Sequence, residues 1–329
     1  MSTKPNLNAA YRDYFPIGAA VNLQTIQSHR ELIINHFGSI TPENQMKPQI
    51  LHPSEYVYDF KQGDIIADFA MSNNLLLRGH TLVWHNQTPE WFFKDGDKPV
   101  SRELALKRLK EHIFTIMGHY KGRTYSWDVV NEAISDKVEE PMLRQAPWLA
   151  AIGEDYISKA FMFAREADPS ATLFYNDYNE CDPIKSRRIY DLVKSLIDSG
   201  APIDGIGMQG HWSVYSPEID EIRKAIELYA SLGVKLQVTE LDVSLFRHED
   251  NTSYKSAPEE LLNLQAERYE KVFKLFREYK DLFTGITFWG IADDVTWLSG
   301  FPFKGRKNWP LLFDDHHKPK KSYESITQF

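Results

Sequence analysis

Short runs of alternating or continuous apolar residues are separated along this chain by longer stretches in which apolar residues return every three or four positions. The short runs predict strands at 17–21, 39–41, 75–82, 126–132, 171–176, 205–209, 235–240 and 285–289. The longer stretches predict helices. Ser101 has the character of an N-cap, with Glu103 in the first turn; Leu109, Ile113, Ile116, Met117 and Tyr120 then recur at helical spacing until Gly122 stops the run. Ser216-Pro217 opens a second helix, with Ile219, Ile222, Ile226 and Tyr229 on one face and Gly233 at its end. Further helices are predicted at 24–36, 64–72, 155–165, 183–198 and 259–279. Strands that alternate with helices in this way predict an α/β fold, a single (β/α)8 TIM barrel with its cleft at the C-terminal ends of the strands. The competing arrangement, a doubly wound sheet, calls for a glycine-rich phosphate turn after the first strand, and none is present.

Length and composition add limits. A chain of 329 residues, 42% hydrophobic, buries a full core, and no linker or composition shift divides it, so residues 1–329 read as one catalytic domain. The net charge of -8 argues against a nucleic-acid partner, because phosphate binding needs basic patches. No apolar run is long enough to span a bilayer, so no membrane partner is expected. The first eight residues lack the apolar stretch and cleavage site of a secretory signal, and Cys181 has no second cysteine to pair with. Together these predict a cytoplasmic protein.

The chemistry gathers where a barrel carries it. His80, Glu132, Asn176, Gln209, Glu240 and Trp289 each end or nearly end a predicted strand. A glutamate capping a Val-rich strand is costly to bury unless it is paired or used. Glu132 and Glu240 occupy such positions on two strands of the same type, which is the minimum equipment for glycosidic-bond cleavage by paired carboxylates. Taken singly, either is equally well an ion-pair partner of a barrel lysine or arginine. Strand alternation puts Asp128, Val130 and Glu132 on one side, and Leu236, Val238 and Glu240 on one side. Asp128 is therefore expected either to tune Glu132 from below or to be a buried structural carboxylate. His211 and Asp242 are expected to support Glu240. His80, His85 and His211 lie near strand ends without metal-ligand spacing, so neither a metal nor a cofactor is expected. His316-His317 reads as a solvated loop. Seven of the eight tryptophans fall at or after strand ends, and Trp84, Trp289 and Trp297 are expected to line a cleft whose occupant presents flat C–H faces.

Six segments then appear in a fixed order: Glu43-Asn44-Gln45-Met46-Lys47, the run from Gly79 to His85, Trp127-Asp128-Val129-Val130-Asn131-Glu132, Tyr175-Asn176-Asp177-Tyr178, the run from Gly207 to His211, and Val238-Thr239-Glu240-Leu241-Asp242. Together they resemble the glycoside hydrolase family 10 xylanases, from about residue 22 to residue 297. The resemblance implies an endo-β-1,4-xylanase that cleaves xylan or xylo-oligosaccharides with retention of configuration. It places Glu132 as acid/base, Glu240 as nucleophile, and Asn131 on the sugar 2-hydroxyl at the cleavage subsite. It places His80, Trp84, Gln209, His211, Trp289 and Trp297 on the walls of that subsite. Glu43, Asn44 and Lys47 fall on the next glycone subsite, and Tyr175, Asn176 and Tyr178 on the aglycone side. The loops at 138–152 and 244–258 are its variable parts. The competing readings are a catalytically inactive barrel that binds carbohydrate or protein, and a β-1,4-glucan-cleaving or exo-acting relative.

Overall fold

Runs of Val, Ile, Leu and Ala that are buried on both faces form parallel strands, because only a sheet covered on one side and filled on the other hides them. In the computed structural model, which describes residues 6–329, they close into a barrel. Its strands are β1 (Ile17–Val21), β2 (Ser39–Pro42), β3 (Leu76–Trp84), β4 (Ser126–Asn131), β5 (Thr172–Asp177), β6 (Gly205–Met208), β7 (Lys235–Ser244) and β8 (Phe283–Phe288). Each pairs in parallel with the next, and β8 pairs with β1 to complete the ring. The expected (β/α)8 architecture is therefore the observed one. Of the eight residues read for a leader, 1–5 lie outside the described residues. Among the described residues no helix is long and apolar enough to cross a membrane.

The helices follow the predicted periodicity. The helix Arg102–Tyr120 starts where Ser101 Oγ accepts the Leu104 N–H at 3.3 Å, and it buries Leu109, Ile113, Ile116, Met117 and Tyr120. Asp182 caps Pro183–Asp198 by accepting from the N–H groups of Ile184 and Lys185. Two starts differ from expectation. The predicted helix at 24–36 breaks at His29 into Thr25–Ser28 and Arg30–His36, because His29 leaves helical geometry (φ -112°, ψ 17°). The helix expected to open at Ser216-Pro217 begins at Ile219, where Glu218 and Glu221 form a reciprocal capping box.

The upper rim of the barrel is irregular, and this positions the site. The β4–β5 ladder slips by one residue between Asp128 and Val130, whose partners are the consecutive residues Phe174 and Tyr175. Such a bulge re-aims every side chain that follows it. The expected shared face of Asp128, Val130 and Glu132 is thus broken, and Asn131 joins Glu132 at the cleft. β7 runs on to Ser244, four residues past its expected end, so Glu240 sits inside the strand. A short strand, His211–Ser213, pairs with this extension and sets His211 opposite Asp242.

Candidate active site

A cleft of about 570 Å³ opens at the C-terminal ends of the strands, and Glu132 and Glu240 both line it. Beneath it lies a charged floor. Asp128, fully buried on β4, is bonded to the guanidinium of Arg78 and, at 2.7 Å, to Nδ1 of His80, both from β3. Asp128 is therefore the structural carboxylate of the two expected alternatives: its hydrogen bonds go to the floor, and none reaches Glu132.

Glu240 is held by neutral and cationic donors. Asn176 Nδ2 donates to Oε1 at 2.9 Å, and His211 Nε2 lies 3.2 Å from Oε2. The other ring nitrogen of His211 is 2.9 Å from Asp242, which also accepts from the Trp297 indole N–H at 2.8 Å. Burial pushes His211 down, but Asp242 and Glu240 on its two nitrogens outweigh it and lift its pKa to about 10. Burial likewise pushes Glu240 up. The hydrogen bond from His211 and the charges of His80, His211 and Arg78 overcome that and hold the carboxyl at about 2. His211 thus stands as the cation between the carboxylates of Glu240 and Asp242.

Glu132 is treated in the opposite way. Trp84 donates to Oε2 at 2.8 Å and Gln209 to Oε1 at 2.9 Å, with Asn131 Nδ2 at 3.3 Å. Burial is the largest influence and pushes its pKa up to about 7; bonds from Gln209 and Trp84 pull down, while the charges of Asp177 and Glu240 push up. At pH 5–6, then, Glu132 carries a proton and Glu240 does not.

The two carboxyls are tied by one chain of side-chain amides. Gln209 Nε2 donates to Glu132 and, at 3.3 Å, to Asn131 Oδ1; Asn176 Nδ2 donates to that same oxygen at 2.9 Å and to Glu240. The Thr239 hydroxyl fixes the orientation of Asn176 by donating to its Oδ1 at 2.6 Å. Gly207 makes room for this, since a Cβ there would stand 2.3 Å from that oxygen.

The backbone at Glu132 is held as deliberately as its side chain. Its φ of 58° is left-handed, which an L-residue adopts only where surroundings impose it. Its N–H donates to Asn176 O at 2.9 Å, and its carbonyl accepts Arg144 Nε at 3.1 Å. The Tyr175 hydroxyl accepts the next two N–H groups, Ala133 at 3.0 Å and Ile134 at 3.2 Å, and donates to Asp177 at 2.5 Å. Two expected aglycone residues are corrected here: Tyr175 and Asn176 are both wholly buried. Tyr175 braces a turn and Asn176 bridges the carboxyls; neither is a wall. Tyr178 does line the cleft, with Lys185 Nζ 3.6 Å from its ring centroid.

On the other side, Lys47 donates to Asn44 at 3.0 Å and lies over the Trp84 ring at 4.9 Å. Glu43 accepts from Asn22 at 3.0 Å and faces a small side cavity shared with Trp289 and Trp297. The cleft continues past the carboxylates. At His211 and Asn179 it meets a groove of about 440 Å³ between Asp136, Lys185 and Glu221, and beyond His248 and Phe301 it meets another.

The sequence profile of "Glycosyl hydrolase family 10" matches residues 6–329. The chain belongs to that family. It is 55% identical over 329 residues to endo-1,4-beta-xylanase B of Paenibacillus barcinonensis, covering 99% of both chains, and 52% identical to an endo-1,4-beta-xylanase of Geobacillus stearothermophilus, covering 98% of both. The crystal structure of xylanase XynB from P. barcinonensis, in complex with a conduramine derivative, superposes with a TM-score of 0.97 at 53% identity, covering 99% of each chain. A solved mutant in complex with xylotriose matches equally well, at 49% identity and a TM-score of 0.97, with 98% of this chain and 99% of that one covered. A further relative, at 45% identity, is an exoglucanase XynX of Acetivibrio thermocellus; this chain spans 29% of its length.

Within this family 10 chain, the sequence missed Arg144, which sits in a loop read as variable and acts through a main-chain carbonyl. It also missed Asn86, His248 and Phe301 on the cleft rim. Phe301 stacks on Trp297 with centroids 5.0 Å apart and is half exposed. Three other strand-end tryptophans are packing residues: Trp148 rests on Phe93, Trp212 donates to Glu180 at 2.9 Å, and Trp309 is buried in the core.

Proposed function

We infer that this chain is a retaining endo-β-1,4-xylanase, working as one catalytic unit on xylan or xylo-oligosaccharides. The observation that carries the reading is the opposite protonation of two carboxyls fixed on one amide chain. In the first step Glu240 attacks the anomeric carbon, the glycosidic C–O bond breaks, and Glu132 gives its proton to the departing oxygen. In the second, Glu132 takes a proton from water, the water oxygen attacks the same carbon, and Glu240 is released. Two inversions give retention. The amide of Asn131 lies between the carboxyls, where it meets the 2-hydroxyl of the sugar. Trp84, His80, Trp289 and Trp297 supply flat and edge contacts, with Glu43, Asn44 and Lys47 beyond them and Tyr178 on the leaving side.

From Asn179 and His211 the cleft runs on into two adjoining grooves, and Lys47 lines its other side, so that sugars have room on both sides of the scissile bond, as internal cleavage requires. Lys47, Trp289 and Trp297 close the space where a glucose would carry its hydroxymethyl group, and selectivity by clash follows. Turnover of an aryl xylobioside is expected to exceed that of the aryl cellobioside at least tenfold, and xylan to yield a ladder of oligomers at early times. The exoglucanase relative keeps a second reading open to the same assay: equal rates on the two aryl glycosides, or release of a single short product, establishes that reading instead. A cytoplasmic site of action belongs to this proposal, supported by the buried, unpaired thiol of Cys181, and cell fractionation tests it.

A further inference from the structure

We propose that His29, Asp294 and His317 form a binding site for one divalent ion of the zinc type, outside the catalytic cleft. Three distant segments supply it: the break between the helices Thr25–Ser28 and Arg30–His36, the loop after β8 and the C-terminal turn before Lys321–Thr327. His29 Nε2 lies 3.0 Å from Asp294 Oδ1, and His317 Nε2 lies 3.3 Å from Oδ2. All three ligand atoms fall within 4.8 Å of one another. A tetrahedral zinc with bonds of about 2.0–2.1 Å holds its ligand atoms roughly 3.3 Å apart. His29 is buried, whereas Asp294 and His317 are about one-third exposed, which leaves an entry path and a face for water as the fourth ligand.

The surroundings of His29 suit a metal ligand. Ser28 Oγ lies 2.8 Å from His29 Nδ1 and 3.1 Å from the Gln24 carbonyl oxygen, so it can accept from the ring or donate to it. In the tautomer whose Nδ1 donates to Ser28, Nε2 turns a lone pair toward Asp294, the arrangement a metal ion between them requires. The rings of His29 and His317 have centroids 4.2 Å apart. At that spacing one metal ion reaches both rings. The Ser28 bond is also the outer partner that orients a metal-bound histidine. Two imidazoles and one carboxylate favour zinc, cobalt, nickel or copper over calcium and magnesium, which prefer oxygen ligands throughout. The expectation that His316-His317 is only a solvated loop is corrected for His317.

The consequence is mechanical. Asp294 lies on the segment between Trp289 and Trp297, and His29 lines the small cavity behind those tryptophans and Glu43. A bound ion ties this loop to the N-terminal and C-terminal segments without touching the reacting atoms.

The test uses the full chain, stripped with a chelator and titrated with Co²⁺ at neutral pH. A visible d–d absorption saturating at one ion per chain, displaced by Zn²⁺, is expected. Zn²⁺ should raise Tm by several degrees where Ca²⁺ does not. His317→Ala and Asp294→Asn should each lose both responses, His316→Ala should keep them, and turnover of aryl xylobioside by stripped His317→Ala should match the stripped parent. Absence of the band and of the Tm shift in the parent overturns the site, as does undiminished binding by both variants.

Discussion

At the scale of single residues the site depends on two glutamates being given opposite surroundings. Glu132 gains its proton mainly from burial, and the charge of Glu240 adds a smaller push in the same direction. Glycosylation of Glu240, which removes that charge, therefore lowers the pKa of Glu132 only in part. The pH dependence follows directly. In the free enzyme kcat/KM should need Glu132 protonated and Glu240 ionised, so it falls above about 7 and, on the acid side, only as pH approaches about 2. With an aryl xylobioside whose leaving group needs no proton, Glu132→Gln should abolish the alkaline limb. A limb that stays near 7 in that variant assigns the acid to another group.

At the scale of elements, the strained turn after β4 is the part most exposed to indirect damage. Tyr175→Phe removes the hydroxyl that receives two backbone N–H groups and satisfies Asp177. Leaving the two N–H groups unpaired should cost about 2–6 kcal/mol, from roughly 1–3 for each unsatisfied buried group. As Glu132 loses its bracing, kcat should drop about tenfold, the scale of a misplaced reacting group, with KM little changed. A kcat equal to the parent's, measured on a folded sample, removes Tyr175 from the positioning of Glu132.

The sequence made this element only half legible. Strand positions were readable because buried parallel strands are written in Val, Ile and Leu. The orientation of Tyr175 was readable too, since neighbours in a pleated strand face opposite ways and Tyr175 and Asn176 cannot both reach one cleft. The bulge at Val129 left no comparable sign, and it is what turns Asn131 to the cleft. Arg144 acts on a carbonyl, which any sequence provides, and His29, Asp294 and His317 meet only through the closed fold.

At the scale of the molecule, catalysis and stability oppose each other. Glu132 has a folded value near 7 against an ordinary 4.5, so its contribution is full below 4.5 and is lost as pH rises through 7. A shift of that size corresponds to roughly 3 kcal/mol. Glu132→Gln, which never ionises, should melt several degrees above the parent at pH 8 and alongside it at pH 4.5. A pH-independent gap would show that ionisation in a dry site is not the cost. Glu240 works in the reverse sense: its contribution is full above 4.5 and is lost as pH falls through about 2.

The central claim is that Glu132 handles the proton and Glu240 forms the covalent bond. Chemical rescue by azide separates the two most directly. Glu132→Ala, given an aryl xylobioside with a good leaving group, should still form the glycosyl-enzyme and hand it to azide, giving the β-xylobiosyl azide. Glu240→Ala should let azide displace the leaving group directly and give the α-anomer. NMR of the two products decides it: β from Glu132→Ala and α from Glu240→Ala are the predicted pair, and the exchanged pair would contradict the account.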